Sequence, residues 1–157
     1  MKQLRSLVLV LGATVSLIAC APNEESMNDM NLNDFALRYA AAWSSQDPDA
    51  HAAFYADDGV LKVNDGEPAV GRDAVRATAA AFMTAFPDMK VELVELKGEF
   101  PHVEFHWHWT GTNSGPDGTG AFVDLHGYEA WTIGDDGLIV QSLGHYDEAE
   151  YQRQLNP

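Results

Sequence analysis

Residues 102–112 read HVEFHWHWTGT, and residues 121–133 read AFVDLHGYEAWTI. In both stretches apolar side chains recur at every second position, the period of a β-strand with one buried face. Val103, Phe105, Trp107 and Trp109 share one face of the first stretch. His102, Glu104, His106, His108 and Thr110 share the other. In the second, Val123, Leu125, Gly127, Glu129, Trp131 and Ile133 fall together. The glycine-bounded segment from Gly111 to Gly120 joins the two as a hairpin.

The pattern extends outward from this pair. Strands are expected at Met89–Lys97 and Leu138–Tyr146, the latter entered through the turn Gly134-Asp135-Asp136-Gly137. Upstream of Met89 the period is helical. Leu32, Phe35, Tyr39, Ala42 and Trp43 make one apolar stripe, with Asn33 or Asp34 as its N-cap. Asp47-Pro48-Asp49 ends that helix and starts a short second one through His51, Phe54 and Tyr55. Ala56-Asp57-Asp58-Gly59 reads as a turn, Val60 to Val63 as a short strand, and Asn64-Asp65-Gly66 as another turn. A third helix from Arg72 to Phe86 carries Val75, Ala79, Phe82 and Phe86 on one face and stops at Pro87. Segregated helices followed by a meander predict an α+β fold: three N-terminal helices packed on a curved antiparallel β-sheet.

Composition sets the outer bounds. The chain has 157 residues, enough for one domain after a leader. It carries 24 acidic against 9 basic side chains, a net charge of -15. Such a chain repels phosphate backbones, so no nucleic acid partner is expected. Lys2 and Arg5 precede an apolar run from Leu7 to Ile18, too short for a comfortable membrane span, which predicts an export signal. Leu17-Ile18-Ala19-Cys20 closes the run with the only cysteine of the chain. That tetrapeptide resembles the lipobox of bacterial lipoproteins. The resemblance implies cleavage after residue 19, lipidation of Cys20 and a membrane anchor, with Ala21 after the cysteine suggesting the outer membrane, facing the periplasm. Residues 20–31 then form a polar tether containing Pro22, and residues 32–157 the domain.

The order of elements, with their local sequences, resembles the nuclear transport factor 2-like superfamily, in its SnoaL-like branch of polyketide cyclase and ketosteroid isomerase-like proteins. The matching pieces are Tyr55-Ala56-Asp57-Asp58-Gly59-Val60, Gly71-Arg72-Asp73-Ala74-Val75, Ala85-Phe86-Pro87-Asp88-Met89, Trp109-Thr110-Gly111-Thr112, and Asp136-Gly137-Leu138-Ile139-Val140 leading to Arg153-Gln154-Leu155. The resemblance implies a cone in which the sheet wraps the helices around an apolar pocket. It does not fix a function, because the superfamily holds enzymes, binders and proteins that only dimerise.

The expected pocket walls are Trp43, Phe82, Phe105, Trp107, Trp109, Trp131 and Tyr146. Glu129 is anomalous there. A carboxylate on an apolar face must find donors or take up a proton, since burying an unpaired charge is costly. Once protonated it can donate to a substrate carbonyl, and ionised it can act as a general base. The ketosteroid isomerases pair a first-helix tyrosine with a third-strand aspartic acid, and the resemblance places Tyr39 and Glu129 at those positions. Their base aspartate falls at Val63, and the base of the SnoaL-like cyclases falls at Gly144. Neither residue can take a proton. His145 and Asp147 flank Gly144 and are the candidate substitutes.

Two functions follow from these residues. The leading one is an exported lipoprotein whose domain binds a small hydrophobic or aromatic molecule. The other is a cofactor-independent isomerase, cyclase or dehydratase using Glu129, Tyr39, His145 and Asp147. A third reading is a non-catalytic dimeric adaptor lipoprotein. His106, His108, His126 and His145 gather on the opposite face with Tyr128 and Asp124, where a homodimer interface is expected. No metal is expected, because no helical His-x-x-x-His spacing supports one. No cofactor is expected either, since the chain has no nucleotide-binding loop and no nucleophile elbow.

Overall fold

The computed structural model describes residues 31–156. The signal segment, Cys20 and the tether up to residue 30 lie outside the described residues.

Helix α1 spans Leu32–Ser44, and its first turn is capped by the Asn31 side chain, which accepts from the Asp34 amide at 3.1 Å. Its buried stripe is Phe35, Ala36, Tyr39, Ala40, Ala42 and Trp43. Helix α2, Pro48–Ala52, starts on an Asp47 cap that accepts from the Asp49 and Ala50 amides, with Pro48 in the first turn. Strand β1 is Tyr55–Val63, β2 is Ala69–Val70, and helix α3 is Arg72–Ala85. Four long strands follow: β3 Lys90–Glu99, β4 His102–Thr112, β5 Phe122–Ile133 and β6 Ile139–Tyr146. Helix α4, Glu148–Leu155, closes the chain.

The six strands form one sheet in the order β2-β1-β6-β5-β4-β3. The pairs β3–β4, β4–β5, β5–β6 and β1–β2 are antiparallel, but β1 runs parallel to β6. The sheet is therefore mixed, not antiparallel throughout. Only α1 and α2 precede it. Helix α3 follows β1 and β2 and precedes the four long strands, in keeping with the short strand read before it, so the three helices do not form one uninterrupted N-terminal block. Strand β1 is longer than expected. It begins at Tyr55, and the segment read as a turn at Ala56–Gly59 is a bulge inside it, marked by a register shift between Tyr55 and Val60.

The inner face of β4 and β5 holds the core. Val103, Phe105, Trp107 and Trp109 are buried, as are Val123, Leu125, Trp131 and Ile133. Phe105 stacks on Trp131 with centroids 4.8 Å apart, and Trp131 meets Phe35 and Tyr39 of α1 edge to face. Helices α1 and α3 cover this face. The Tyr39 ring sits edge-on to Phe54, Phe105 and Trp131. Arg72, at the start of α3, donates from Nε and Nη2 to the Tyr55 carbonyl at 3.0 and 2.7 Å and so fixes α3 against β1.

A buried carboxylate at the floor of an aromatic cavity

Glu129 lies on the inner face of β5 and is only 6% exposed. Three donors converge on its Oε2: the Ser142 hydroxyl at 2.6 Å, the Tyr39 hydroxyl at 2.7 Å and the Trp131 indole N–H at 3.1 Å. They come from β6, α1 and β5, so the carboxylate ties three elements together. Strand pairing explains the convergence. Trp131 faces Ser142 across β5–β6, and Glu129 faces Gly144.

The network continues away from the carboxylate. The Tyr39 oxygen lies 2.8 Å from the Tyr55 hydroxyl and 3.0 Å from His51 Nε2. Since Tyr39 donates to Glu129, its oxygen accepts from the other two. That assigns the His51 proton to Nε2 and leaves Nδ1, which has no partner, as a buried acceptor. Burial raises the Glu129 carboxyl above the usual carboxylate range, against the hydrogen bonds of Ser142, Tyr39, Trp131 and Trp43 that favour its charge. Burial, reinforced by the nearby Glu129 charge, pushes both Tyr39 and Tyr55 up. Burial alone pushes His51 down to about 3. The shifts of Tyr39, Tyr55 and His51 therefore all favour their neutral forms.

Glu129 reaches a cavity of about 60 Å³. Trp43 of α1, Phe82 of α3, Trp107 and Trp109 of β4 and Tyr146 of β6 supply its aromatic wall. Leu61, Val63, Met89, Val91 and Gly144 complete it. Trp107 can lie as it does because its cross-strand partner is Gly127. A Cβ at Gly127 would come within 2.4 Å of the Trp107 ring.

The residues singled out from the sequence divide as follows. Tyr39 and Glu129 meet directly. Trp43, Phe82, Trp107, Trp109 and Tyr146 line the cavity with Glu129. Phe105 and Trp131 are packed behind it in the core and do not line it. Val63 and Gly144, where relatives would carry a base, both stand on its wall. A Cβ at Gly144 would touch Glu129 Cγ at 3.7 Å. His145 is on the opposite face, its ring 4.8 Å from Tyr128. Asp147 is the N-cap of α4, where its carboxylate accepts from the Glu150 amide at 3.0 Å. Neither is brought to Glu129. Sequence reasoning missed Ser142, Tyr55 and His51. No local signal marked them: their burial comes from long-range packing.

On the outer face, His108 and His126 stack with centroids 4.4 Å apart, and His108 Nε2 lies 2.8 Å from Asp124 Oδ1. Possible ligand atoms of His108, Asp124 and His126 all lie within 4.8 Å of one another, so these are the described residues able to hold a divalent cation. His108 Nδ1 also faces Glu92 at 3.7 Å. A cation on Nε2 would first have to break the bond to Asp124.

A family model for the SnoaL-like domain matches residues 36–142. No curated protein matches the sequence. Among solved structures, a SnoaL-like protein from Jannaschia sp. CCS1 shares 16% identity over 87% of this chain and 99% of its own, with a TM-score of 0.72. A protein with the ketosteroid isomerase-like fold from Catenulispora acidiphila, solved in complex with trimethylamine, shares 18% identity over 75% of this chain and 88% of its own, at a TM-score of 0.67. TerC, co-crystallised with polyporic acid, shares 15% identity over 80% of this chain and 98% of its own, at a TM-score of 0.66.

Proposed function

This chain belongs to the SnoaL-like domain family, and we propose that its domain is a small-molecule binding module rather than a proton-transfer enzyme. A ligand enters between Trp43, Phe82, Trp107, Trp109 and Tyr146 and meets Glu129 at the floor. One observation carries the reading. The two positions at which relatives are expected to hold a base, Val63 and Gly144, both face the cavity and neither can take a proton. The proteins of this fold solved with trimethylamine and with polyporic acid support a cavity that accepts small molecules.

The Tyr39–Glu129 contact favours one second reading, in which the pair stabilises a developing oxyanion during an isomerisation or cyclisation. A thermal-shift panel of small aromatic, carbonyl and charged compounds separates these possibilities. Stabilisation without turnover is the expected outcome. Turnover that is lost in Glu129→Gln would establish the second reading instead. A panel in which nothing stabilises the protein would remove both.

We further propose that the domain is exported and anchored through lipid on Cys20, with the outer membrane facing the periplasm as its location. The charged start, the apolar run and the single cysteine support this. Radiolabelled palmitate is expected to enter the wild type and not Cys20→Ala. Incorporation that survives Cys20→Ala would overturn the anchor.

A further inference from the structure

The chemistry of the cavity wall selects among ligands. We propose that the cavity is a cage for a small organic cation, an alkylated ammonium head that pairs with Glu129 while its methyl groups face the aromatic rings. This deepens the binding reading above and rests on it.

Three observations point the same way. First, the wall is largely aromatic. Trp43, Phe82, Trp107, Trp109 and Tyr146 come from four different elements and surround one small space. Aromatic faces carry partial negative charge, and a desolvated cation near several of them is attracted to each, most strongly to tryptophan.

Second, Glu129 has no cationic partner among the described residues. Its hydrogen-bond donors are the hydroxyls of Ser142 and Tyr39 and the indoles of Trp131 and Trp43, all neutral. No Lys, Arg or His lines the cavity among the described residues. The bonds from Ser142, Tyr39 and Trp131 all go to Oε2. A neutral donor set of this kind supports a carboxylate and leaves its charge uncompensated. A bound cation supplies that compensation, whereas a ligand carboxylate would add a second negative charge at the same spot.

Third, the space is small. At about 60 Å³ it is well under the roughly 150 Å³ apolar cavity known to take a benzene. A fused-ring ligand would not fit without expansion, which favours a small compound. The net charge of -15 works in the same direction, since a strongly acidic chain concentrates small cations near its surface.

The test uses choline and its neutral carbon isostere, 3,3-dimethylbutan-1-ol, in equilibrium titrations at pH 8. The two have nearly the same shape and differ in charge, and choline's charge is independent of pH. Choline is expected to bind at least about tenfold more tightly than the isostere. Glu129→Gln is expected to abolish that preference while retaining the isostere. Tyr146→Leu, a change at a partly exposed wall position, is expected to weaken choline more than the isostere. It keeps the test informative if the buried Glu129 variant folds poorly. Equal or tighter binding of the isostere would overturn the cation assignment and leave the binding reading standing. Binding of neither probe, together with a silent compound panel, would remove both.

Discussion

Lowering the pH from 7 to 4 is expected to cost the fold about 3 kcal/mol through His51 alone, from roughly 1.4 kcal/mol per pH unit below 6.5. The imidazole is buried against Tyr39, Trp43 and Tyr55, and burial pushes it down from 6.5 to about 3. The unfolded chain therefore takes up a proton below pH 6.5 that the folded chain refuses until about pH 3. Proton uptake by the unfolded state lowers stability as the pH falls. His51's contribution is fully present above 6.5 and lost progressively across that window. Urea unfolding of the wild type and of His51→Phe at both pH values isolates the effect. The many carboxylates of the chain, Glu129 among them, are common to both proteins and largely cancel in the difference. The wild type should lose about 3 kcal/mol more than the variant on going from pH 7 to pH 4. Parallel losses would mean that His51 titrates normally and that its surroundings are not as described.

Truncating Trp131 to alanine is expected to destabilise the protein by about 3–5 kcal/mol, the usual range for removing a fully buried tryptophan. Trp131 is 2% exposed. Its ring stacks on Phe105 and meets Phe35 and Tyr39 edge to face. Removing it opens a cavity under α1 and also takes one of the donors from Glu129. The second consequence has its own signature. Trp131→Phe restores most of the packing but not the N–H, so it should recover most of the stability and still raise the Glu129 carboxyl further. A loss below about 1 kcal/mol for Trp131→Ala, read from urea midpoints, would contradict the packing described for the sheet's inner face.

The period-two pattern of residues 102–133 was sufficient to read β4 and β5, because one face of each strand is buried and the other is not. Glu129 stood out for the same reason, as the one acidic residue in an apolar alternation. The aromatic wall was also legible, since Trp107 and Trp109 share a strand face and Trp43 and Phe82 fall on helical stripes. What failed to show has a common cause in long-range structure. Asp57-Asp58-Gly59 has the composition of a turn, and only pairing with β6 makes it a bulge in a strand. That parallel pairing joins residues far apart in sequence and has no local signature. Helix α4 has no fully buried residue, and only Tyr151 and Leu155 pack against the core, too short a stripe to read. Asp147 and His145 looked plausible as bases because they adjoin Gly144. Strand alternation sends His145 to the opposite face, and the start of α4 engages Asp147 as its cap. Ser142 and His51 look like ordinary polar residues until the fold buries them beside Glu129 and Tyr39.

Glu129 is a buried carboxyl held by neutral donors, and it is where we propose that a ligand is received. The most direct measurement is the side-chain carboxyl ¹³C signal of Glu129, followed by NMR against pH without ligand and at saturation with whichever compound of the panel stabilises the protein. The free protein should titrate above the ordinary carboxylate range, in the direction that burial dictates. Saturation should move the Glu129 midpoint more than that of any surface glutamate, downward if the ligand is cationic. A Glu129 that titrates near 4.5 and does not respond to bound ligand would contradict the account.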